Sequence, residues 1–148
     1  MPHDFQMTRR VEFSDTDMAG IMHFSNFFLF MEAAETAFLR SLGFSVALGR
    51  GGLDLCLPRV HAECDYLAPL RFEDEVLIHL VVEKKGASSL TYRFHFYRLD
   101  GPSRVEAARG RITLAYVRRQ ADGAFKAAPL PGALAEVLEQ APAQANGS

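Results

Sequence analysis

The sequence has little of what marks secreted or nucleic-acid-binding proteins. It has 148 residues, only two cysteines, Cys56 and Cys64, and a net charge of −2 at pH 7. The cysteines do not form a CxxC pair, which favours reduced, partly buried thiols over a disulfide. So small a net charge supplies no field that would attract nucleic acid or an acidic membrane surface. We therefore expect neither kind of partner.

Long apolar runs are also missing. No stretch approaches the roughly 18 consecutive apolar residues that a membrane-spanning helix needs. The opening residues, MPHDFQMTRR, have no apolar signal-peptide core, so we expect a cytoplasmic protein. With 49% hydrophobic residues, the chain is long enough for one domain with its own core. We predict that this domain spans residues 1–141 and that the tail, residues 142–148, is disordered.

Motifs for phosphate, zinc and serine-nucleophile sites are absent as well. The stretch GRGG, Gly49–Gly52, has no following lysine in a strand-loop-helix context, so it does not predict a phosphate loop. A zinc site built from His61, Cys64 and Asp65 fails because strand alternation sends His61 and Cys64 to opposite faces. The sequence also lacks a GxSxG motif. We predict no metal and no cofactor.

The first half of the chain predicts one strand and one long helix. Residues Met7–Phe13 alternate loosely and are typical of a strand. Ser25 or Asn26 can cap a helix that runs to about Leu42, and Gly43 supplies the stop. Apolar residues occupy more than one stripe of this helix, so we expect it to be largely buried. Its polar face is narrow and consists of Glu32, Glu35, Thr36 and Arg40.

The second half changes to a period of two and predicts four strands. Their shared apolar faces are Val60, Ala62, Cys64 and Tyr66; Val76, Ile78, Leu80 and Val82; Leu90, Tyr92, Phe94 and Phe96; and Ile112, Leu114 and Tyr116. The opposite faces carry Arg59, His61, Glu63, Asp65, His79, Arg93, His95, Arg109 and Arg111. Short, turn-rich connections favour antiparallel neighbours. Asp122-Gly123 adds a short last hairpin, and Leu130–Gln140 favours a short terminal helix.

These elements predict an α+β fold of the order β-α-β-β-β-β. One long apolar helix needs to be covered, and one antiparallel sheet with an apolar face is available to cover it. We expect a curved antiparallel sheet of about five strands wrapped around one long central helix. Too little chain remains to protect the sheet edges and helix ends, so we predict a homo-oligomer, a dimer or a homotetramer, with its site near a subunit boundary.

A candidate active site lies immediately before the predicted helix. Two carboxylates, Asp15 and Asp17, stand with Gly20 and His23 within nine residues. A loop that leads into a helix meets unpaired backbone N–H groups and the positive end of the helix dipole. Such a place can bind a developing negative charge on a substrate. The alternative is a polar loop whose side chains bond only to local backbone, and the residue types alone leave both interpretations open.

Two stretches carry a resemblance to a known family. The first, DTDMAGIMHFSNF, resembles the acidic signature of the 4-hydroxybenzoyl-CoA thioesterase family, a group of hotdog-fold acyl-CoA thioesterases. The matching residues are Asp15, Asp17, Gly20, Ile21, Met22, His23 and Asn26. The second, AECDYLAPLRFEDEV, is similar to a strand motif of the family through Tyr66, Pro69, Leu70 and Asp74. The likeness covers about residues 8–139 in consistent order; Phe24 and Phe27 depart from the usual pattern.

The resemblance implies an acyl-CoA thioesterase that releases a free carboxylic acid and coenzyme A. In such an enzyme Asp17 acts as base or nucleophile, and the backbone N–H of Phe24 polarises the thioester carbonyl. Gly20, His23 and Asn26 are then substrate-binding residues, although His23 is equally suited to fixing the loop. The chemistry agrees, because a thiol with a pKa of about 8.5 leaves without a dedicated general acid. A carboxylate and an oxyanion donor therefore suffice.

The remaining charged residues have competing interpretations. Lys84 and Lys85 precede a turn and either hold the phosphates of coenzyme A or are solvated turn lysines. We expect Asp15 to be a turn residue, because a second negative charge would disfavour ionisation of Asp17. Glu35, with its neighbour Glu32, is expected to satisfy polar groups at a subunit contact or to lie beside the reacting centre.

Two rival functions remain open at this point. One is a hydrolase of acyl groups attached to an acidic carrier protein, which would dock on a basic surface such as Arg118-Arg119. The other is a hotdog domain that binds acyl-CoA without turnover. Asp17 discriminates against the second, since a binding domain needs no carboxylate at a helix entrance. The sequence leaves open whether the acyl group is aromatic or aliphatic.

Overall fold

The structure, a computed structural model, describes residues 3–46 and 56–142. The predicted Gly49–Gly52 loop and the predicted tail beyond Pro142 lie outside these ranges. The elements, in chain order, are β1 (Asp4–Arg10), a 3₁₀ turn (Phe13–Asp15), α1 (Asn26–Ser41), β2 (Arg59–Tyr66), β3 (Glu75–Lys85), β4 (Ser89–Asp100), β5 (Ser103–Ala115), β6 (Val117–Arg119), β7 (Phe125–Ala127) and α2 (Gly132–Val137). Within the described ranges, no helix is long and apolar enough to cross a membrane.

One antiparallel sheet of five strands, in the order β1-β3-β4-β5-β2, forms the main layer. The predicted apolar faces of β3, β4 and β5 are all buried, because they form the inner side of the sheet, against which α1 packs. The predicted last hairpin is present as β6 and β7. The α+β architecture expected from the sequence is thus confirmed.

The helix α1 begins at Asn26 and ends at Ser41, close to the predicted bounds. Gly43 follows its end with a φ of 90°, a left-handed conformation that favours glycine and stops the helix. Its buried residues are Phe27, Phe30, Met31, Ala34, Glu35, Phe38 and Leu39. An opposite strip with Leu29 at 55% exposure remains open to solvent. The helix is therefore buried against the sheet on one side rather than enclosed all round.

The first strand differs from its prediction. It spans Asp4–Arg10 rather than Met7–Phe13. At Val11 the chain leaves β1 and instead bonds to the turn before β3, through Val11 N–H to the Asp74 carbonyl and Glu73 N–H to the Val11 carbonyl. Val11 is fully buried, whereas Phe13 starts the 3₁₀ turn and is 76% exposed. Alternation along the predicted strand would place Val11 and Phe13 on one face, but the two residues have opposite environments.

Arg59 also corrects the predicted pattern. Simple alternation assigns it to the outer, polar face of the sheet, but the pairing of β2 with β5 shifts between Arg59 and His61. This irregularity places Arg59 opposite Leu114, a residue of the inner face, and its Nη2 lies 2.6 Å from Oε1 of Glu35. Glu35 is thus neutralised inside the same subunit. It lies nine residues into α1, away from the helix entrance.

The outer face of the sheet carries its charges in mutually compensating groups. Glu83 accepts hydrogen bonds from Arg111 and Arg93, and the Arg111 bonds hold the pKa of Glu83 below its usual value. Glu106 bonds to Arg109, which in the same way lowers the pKa of Glu106. Exposed pairs of this kind contribute little stability each. They do keep this face polar, as the sequence predicts.

The pair formed by the buried Glu35 and the partly exposed Arg59 leads to a stability prediction. Replacing Arg59 by Leu should lower the free energy of unfolding at pH 7 by about 2–4 kcal/mol, because it leaves the buried Glu35 carboxylate without a counter-charge. Burial already raises the pKa of Glu35, and Arg59 opposes that rise. Without Arg59 the pKa rises further, so protonation relieves the loss as the pH falls towards 5. Urea denaturation at both pH values measures the effect.

The double variant Glu35→Gln, Arg59→Leu serves as the control for the charge. It removes the carboxylate as well as its partner, so it should recover most of the lost stability at pH 7 and lose the pH dependence. An equal loss at pH 5 and pH 7 in Arg59→Leu would show that packing, and not the uncompensated carboxylate, dominates.

Candidate active site

Asp17 opens a tight turn in the loop between the 3₁₀ turn and α1. Its N–H donates to the Ile21 carbonyl at 2.9 Å, and the Gly20 N–H donates to the Asp17 carbonyl at 2.9 Å. Gly20 has a φ of 80°, so this turn requires glycine. One carboxylate oxygen of Asp17, Oδ1, accepts the Ala19 N–H at 2.8 Å. The other, Oδ2, has no hydrogen-bond partner among the described residues.

Asp15 holds the loop together. Its Oδ2 accepts the Glu12 N–H at 2.8 Å. Its backbone carbonyl accepts both the His23 N–H at 2.9 Å and the Asn26 Nδ2 at 2.8 Å. This is the turn role that the sequence predicts for Asp15. It also accounts for the amide of Asn26, whose side chain ties the first residue of α1 back to the loop.

His23 is committed to the same loop. Its Nδ1 accepts the Ser25 N–H at 3.3 Å and lies 2.7 Å from the Ser25 hydroxyl oxygen. A backbone N–H can only donate, so Nδ1 is assigned as the acceptor and the proton to Nε2. The hydroxyl of Ser25 then donates to the ring instead of capping the helix. The His23 ring also packs on Phe24, with ring centroids 4.6 Å apart.

A pocket of about 580 Å³ opens between this loop and the segment that follows β2. It is lined by Asp17, Ile21, Met22, Phe24, Phe27, Tyr66, Leu67, Ala68, Pro69 and Leu70. A hydrogen bond of 2.6 Å from the Met22 N–H to the Leu70 carbonyl joins the two walls. Of the predicted site residues, Asp17 and Phe24 line the pocket. Gly20, His23 and Asn26 shape the loop behind it.

The backbone N–H of Phe24 is unpaired within the described part of the chain. It lies two residues before α1, where the helix dipole is positive. The pocket therefore combines a carboxylate, apolar walls and a free N–H donor at a helix start. Such an arrangement can supply a base or nucleophile together with an oxyanion donor.

Tyr66 is the pocket residue that sequence reasoning missed as a functional group. Its hydroxyl donates to the Phe24 carbonyl at 2.9 Å, and its ring lies edge-on to Phe27 with centroids 5.0 Å apart. The sequence signal for Tyr66 is its position directly before the apolar run Leu67–Leu70, which follows a charged strand. An apolar segment at the end of a charged strand indicates the wall of a pocket.

The two lysines predicted to hold phosphates lie at the far end of β3. Glu75 is at the pocket end of this strand, and Lys85 is ten residues on, roughly 30 Å away. Lys84 is exposed. The Lys85 ammonium donates to the carbonyls of Ala135 and Leu138, each at 2.9 Å, so the solvated-turn alternative is wrong for Lys85. Neither lysine approaches the pocket of its own chain.

Residues 19–104, more than half of the chain, match the thioesterase superfamily. The chain belongs to that family. A 1,4-dihydroxy-2-naphthoyl-CoA hydrolase of Prochlorococcus marinus (strain NATL2A) is 33% identical over 97 residues, which cover 61% of this chain and 63% of that protein. The family match begins at residue 19, two residues after Asp17, so membership of the family does not itself assign a role to the Asp17 carboxylate.

Solved structures agree with the family. A 1,4-dihydroxy-2-naphthoyl-CoA thioesterase from Synechocystis aligns with a TM-score of 0.79 and 26% identity over 89% of this chain and 93% of that one. A 4-hydroxybenzoyl-CoA thioesterase from Pseudomonas sp. strain CBS-3 aligns with a TM-score of 0.79 and 18% identity over 91% and 99%. The family, the hotdog fold and the thioesterase class expected from the sequence are confirmed.

The turn at Gly20 leads to a test of the site geometry. Gly20→Ala should destabilise the protein by about 1–2 kcal/mol, because an L-residue is strained in the left-handed region. No atom lies within 4 Å of the added Cβ, so the cost is conformational. Because the same turn positions Asp17, the turnover number should fall by about tenfold or more. Melting temperature and kcat measure the two effects.

Gly123→Ala is the matched control. Gly123 has a φ of 87°, and no atom lies within 4 Å of its added Cβ either, but it lies in the β6–β7 hairpin. It should lose similar stability and keep its turnover. Gly20→Asn should fall between wild type and Gly20→Ala, because asparagine tolerates the left-handed region better than alanine does. Equal kcat values for the two alanine variants would contradict a link between this turn and catalysis.

Proposed function

We propose that this thioesterase hydrolyses an acyl-CoA thioester to a free carboxylic acid and coenzyme A. Asp17 supplies the carboxylate, and the Phe24 N–H binds the oxyanion. One observation carries the proposal: the same apolar pocket is lined by Asp17, which has a carboxylate oxygen without a partner among the described residues, and by Phe24, whose N–H at the helix start also has none there. The naphthoyl-CoA hydrolase of Prochlorococcus supports the substrate class.

In the proposed reaction the thioester carbonyl oxygen bonds to the Phe24 N–H. Negative charge that develops on this oxygen is stabilised by the N–H and by the positive end of the α1 dipole. Asp17 either attacks the carbonyl carbon and forms an anhydride that water cleaves, or takes a proton from the attacking water. In both routes the C–S bond breaks and coenzyme A leaves as its thiolate, which needs no general acid.

The walls of the pocket favour a flat, apolar acyl group. Three aromatic rings, those of Phe24, Phe27 and Tyr66, line it together with Leu67 and Pro69. Aromatic faces and edges pack well against another ring. The relatives described above are named for aromatic acyl-CoA substrates. We therefore propose an aromatic acyl-CoA as the substrate, to be identified by thiol release across aromatic and straight-chain acyl-CoAs.

The central test replaces Asp17 with Asn. This change keeps the size of the side chain and its ability to accept the Ala19 N–H, but removes the basic or nucleophilic oxygen. On the substrate found by the screen, kcat should fall by at least about 100-fold, the lower end for a positioned acid–base group. KM and the melting temperature should change little, since the loop hydrogen bonds remain.

Asp15→Asn is the control. Asp15 bonds to the Glu12 N–H and does not line the pocket. This variant should lose a little stability and keep most of its turnover. Wild-type turnover in Asp17→Asn would reject the proposed mechanism and would favour a catalyst elsewhere in the pocket.

We also propose that β2 pairs with the β2 of a second copy. It is an edge strand, and seven of its eight residues are exposed. Ala62, Cys64 and Tyr66 stand opposite Ile112, Gly110 and Ala108 of the inner face, yet Ala62 is exposed and Tyr66 is still 47% exposed. An uncovered apolar strip on a free edge favours strand pairing with another chain.

Such pairing would bring the exposed Lys84 of one subunit towards the pocket of the other. One row of paired residues crosses the sheet at the start of β2, the end opposite to Tyr66. It consists of Arg59, Leu114, Leu90 and Lys85. When two β2 strands pair antiparallel about a twofold axis, that end of one subunit lies beside the pocket end of the other. Four strand spacings, roughly 20 Å, then separate this β2 from Lys84 of the partner subunit. The long pantetheine arm of coenzyme A spans such a distance.

Mixed dimers test this arrangement. In Lys84→Ala alone, KM should rise several-fold at unchanged kcat, because the lost contact acts equally on ground and transition states, and the effect should shrink at high salt. A dimer of one Asp17→Asn subunit and one Lys84→Ala subunit has one site with both residues intact. Purified with two different affinity tags, it should show the wild-type KM at half the wild-type kcat.

If the mixed dimer instead shows the raised KM of the Lys84→Ala protein, the lysine acts at the site of its own chain. If Lys84→Ala alone leaves KM unchanged, Lys84 does not bind the substrate. A mass of 16.4 kDa by light scattering at micromolar concentration would rule out the dimer itself.

A further inference from the structure

The carbonyl of Phe24 is held from the opposite side of the pocket. Tyr66 is the last residue of β2, and its hydroxyl donates to that carbonyl at 2.9 Å across 42 positions of the chain. The two residues line the same pocket. This hydrogen bond is therefore a direct link between the wall that carries the N–H donor and the wall that continues from the sheet.

The Phe24 carbonyl and the Phe24 N–H belong to neighbouring peptide groups that meet at one Cα. Because each peptide group is planar, the Phe24 N–H points opposite to the His23 carbonyl of its own peptide group, and its direction also depends on the backbone torsions at the His23 and Phe24 Cα atoms. On the upstream side, the His23 N–H is fixed to the Asp15 carbonyl. On the downstream side, the Phe24 carbonyl is fixed by Tyr66. The peptide group between them, which carries the Phe24 N–H, is also held directly, because its His23 carbonyl accepts the Asn26 N–H at 2.9 Å.

The hydroxyl of Tyr66 is well suited to this task. Partial burial and the neighbouring Cys64 thiol raise its pKa, so it stays protonated and keeps its proton to donate. The ring is fixed edge-on to Phe27, a buried residue of the first turn of α1. Both ring and hydroxyl therefore contact the helix start.

We propose that Tyr66 is a positioning residue that aims the Phe24 N–H at the thioester carbonyl oxygen. The inference rests on the proposed function and extends it to a residue outside the acidic loop. Tyr66 acts through the Phe24 backbone, so its loss should weaken the oxyanion contact without removing the donor. The contact strengthens as charge develops on the oxygen, so the loss should appear in kcat more than in KM.

Tyr66→Phe is the variant that isolates the hydroxyl. It keeps the ring and its contact with Phe27, and because Tyr66 is 47% exposed, the fold should be retained. Removing an oxyanion donor outright costs about 100- to 1,000-fold in kcat. Tyr66→Phe keeps the Phe24 N–H but loosens its orientation, so kcat should fall by less, about 5- to 20-fold, and KM should stay within about twofold. Tyr97→Phe, on the outer face of β4 and away from this pocket, should keep wild-type kinetics.

A spectroscopic measurement separates positioning from a general loss of structure. In the Asp17→Asn background the bound thioester remains uncleaved, and a hydrogen bond to its carbonyl lowers the C=O stretching frequency. Isotope-edited infrared difference spectra should show a smaller lowering, or two populations, in Asp17→Asn, Tyr66→Phe than in Asp17→Asn alone. The inference predicts this change together with the fall in kcat.

The outcomes distinguish this inference from the proposed function. If Asp17→Asn is inactive while Tyr66→Phe keeps both the wild-type kcat and the carbonyl frequency, Tyr66 has no positioning role and the proposed mechanism stands. If kcat falls but the carbonyl frequency is unchanged, the hydroxyl acts in another way and the inference is overturned. If Asp17→Asn keeps wild-type turnover, the proposed function fails first, whatever Tyr66 does.

Discussion

One backbone carbonyl, that of Asp15, fixes the arrangement on which the pocket depends. It accepts the His23 N–H and the Asn26 side-chain amide, so it ties the end of the loop and the first residue of α1 to the same point. With these two groups bound to the loop, the Phe24 N–H between them has no partner among the described residues. A helix start leaves several N–H groups unpaired in any case. Here the loop binds the neighbouring groups, and Phe24 itself lines the pocket.

The rest of the fold holds that helix start in place. The buried face of α1 lies on the apolar inner side of β3, β4 and β5, and burial of this kind is the main source of stability. The pair Glu35–Arg59 adds a polar link between α1 and the edge strand. A buried ion pair is a weak source of stability. It does join the helix to β2, the strand that carries Tyr66 to the pocket.

Regular parts of the fold were predictable because burial imposes a period on the sequence. The inner faces of β3 and β4, from Val76 to Val82 and from Leu90 to Phe96, follow from alternation alone. The end of β1 and the direction of Arg59 were not predictable. Each depends on a local irregularity, the pairing of Val11 with the turn before β3 and the shifted register of β2, that has no local sequence signal.

The candidate site likewise has one part that the sequence predicts and another that it does not. The positions of Asp17 and Phe24 could be predicted because loop and helix start are adjacent in the chain. The contact from Tyr66 joins positions 42 residues apart, and the arrangement proposed for Lys84 requires a second chain, so no local sequence pattern predicts either. The chemistry of thioester hydrolysis is compatible with a site that is built mainly from one loop. Because the leaving thiolate needs no acid, the proposed mechanism requires only groups that fit on one short loop, and it leaves distant elements to orient that loop and bind the substrate.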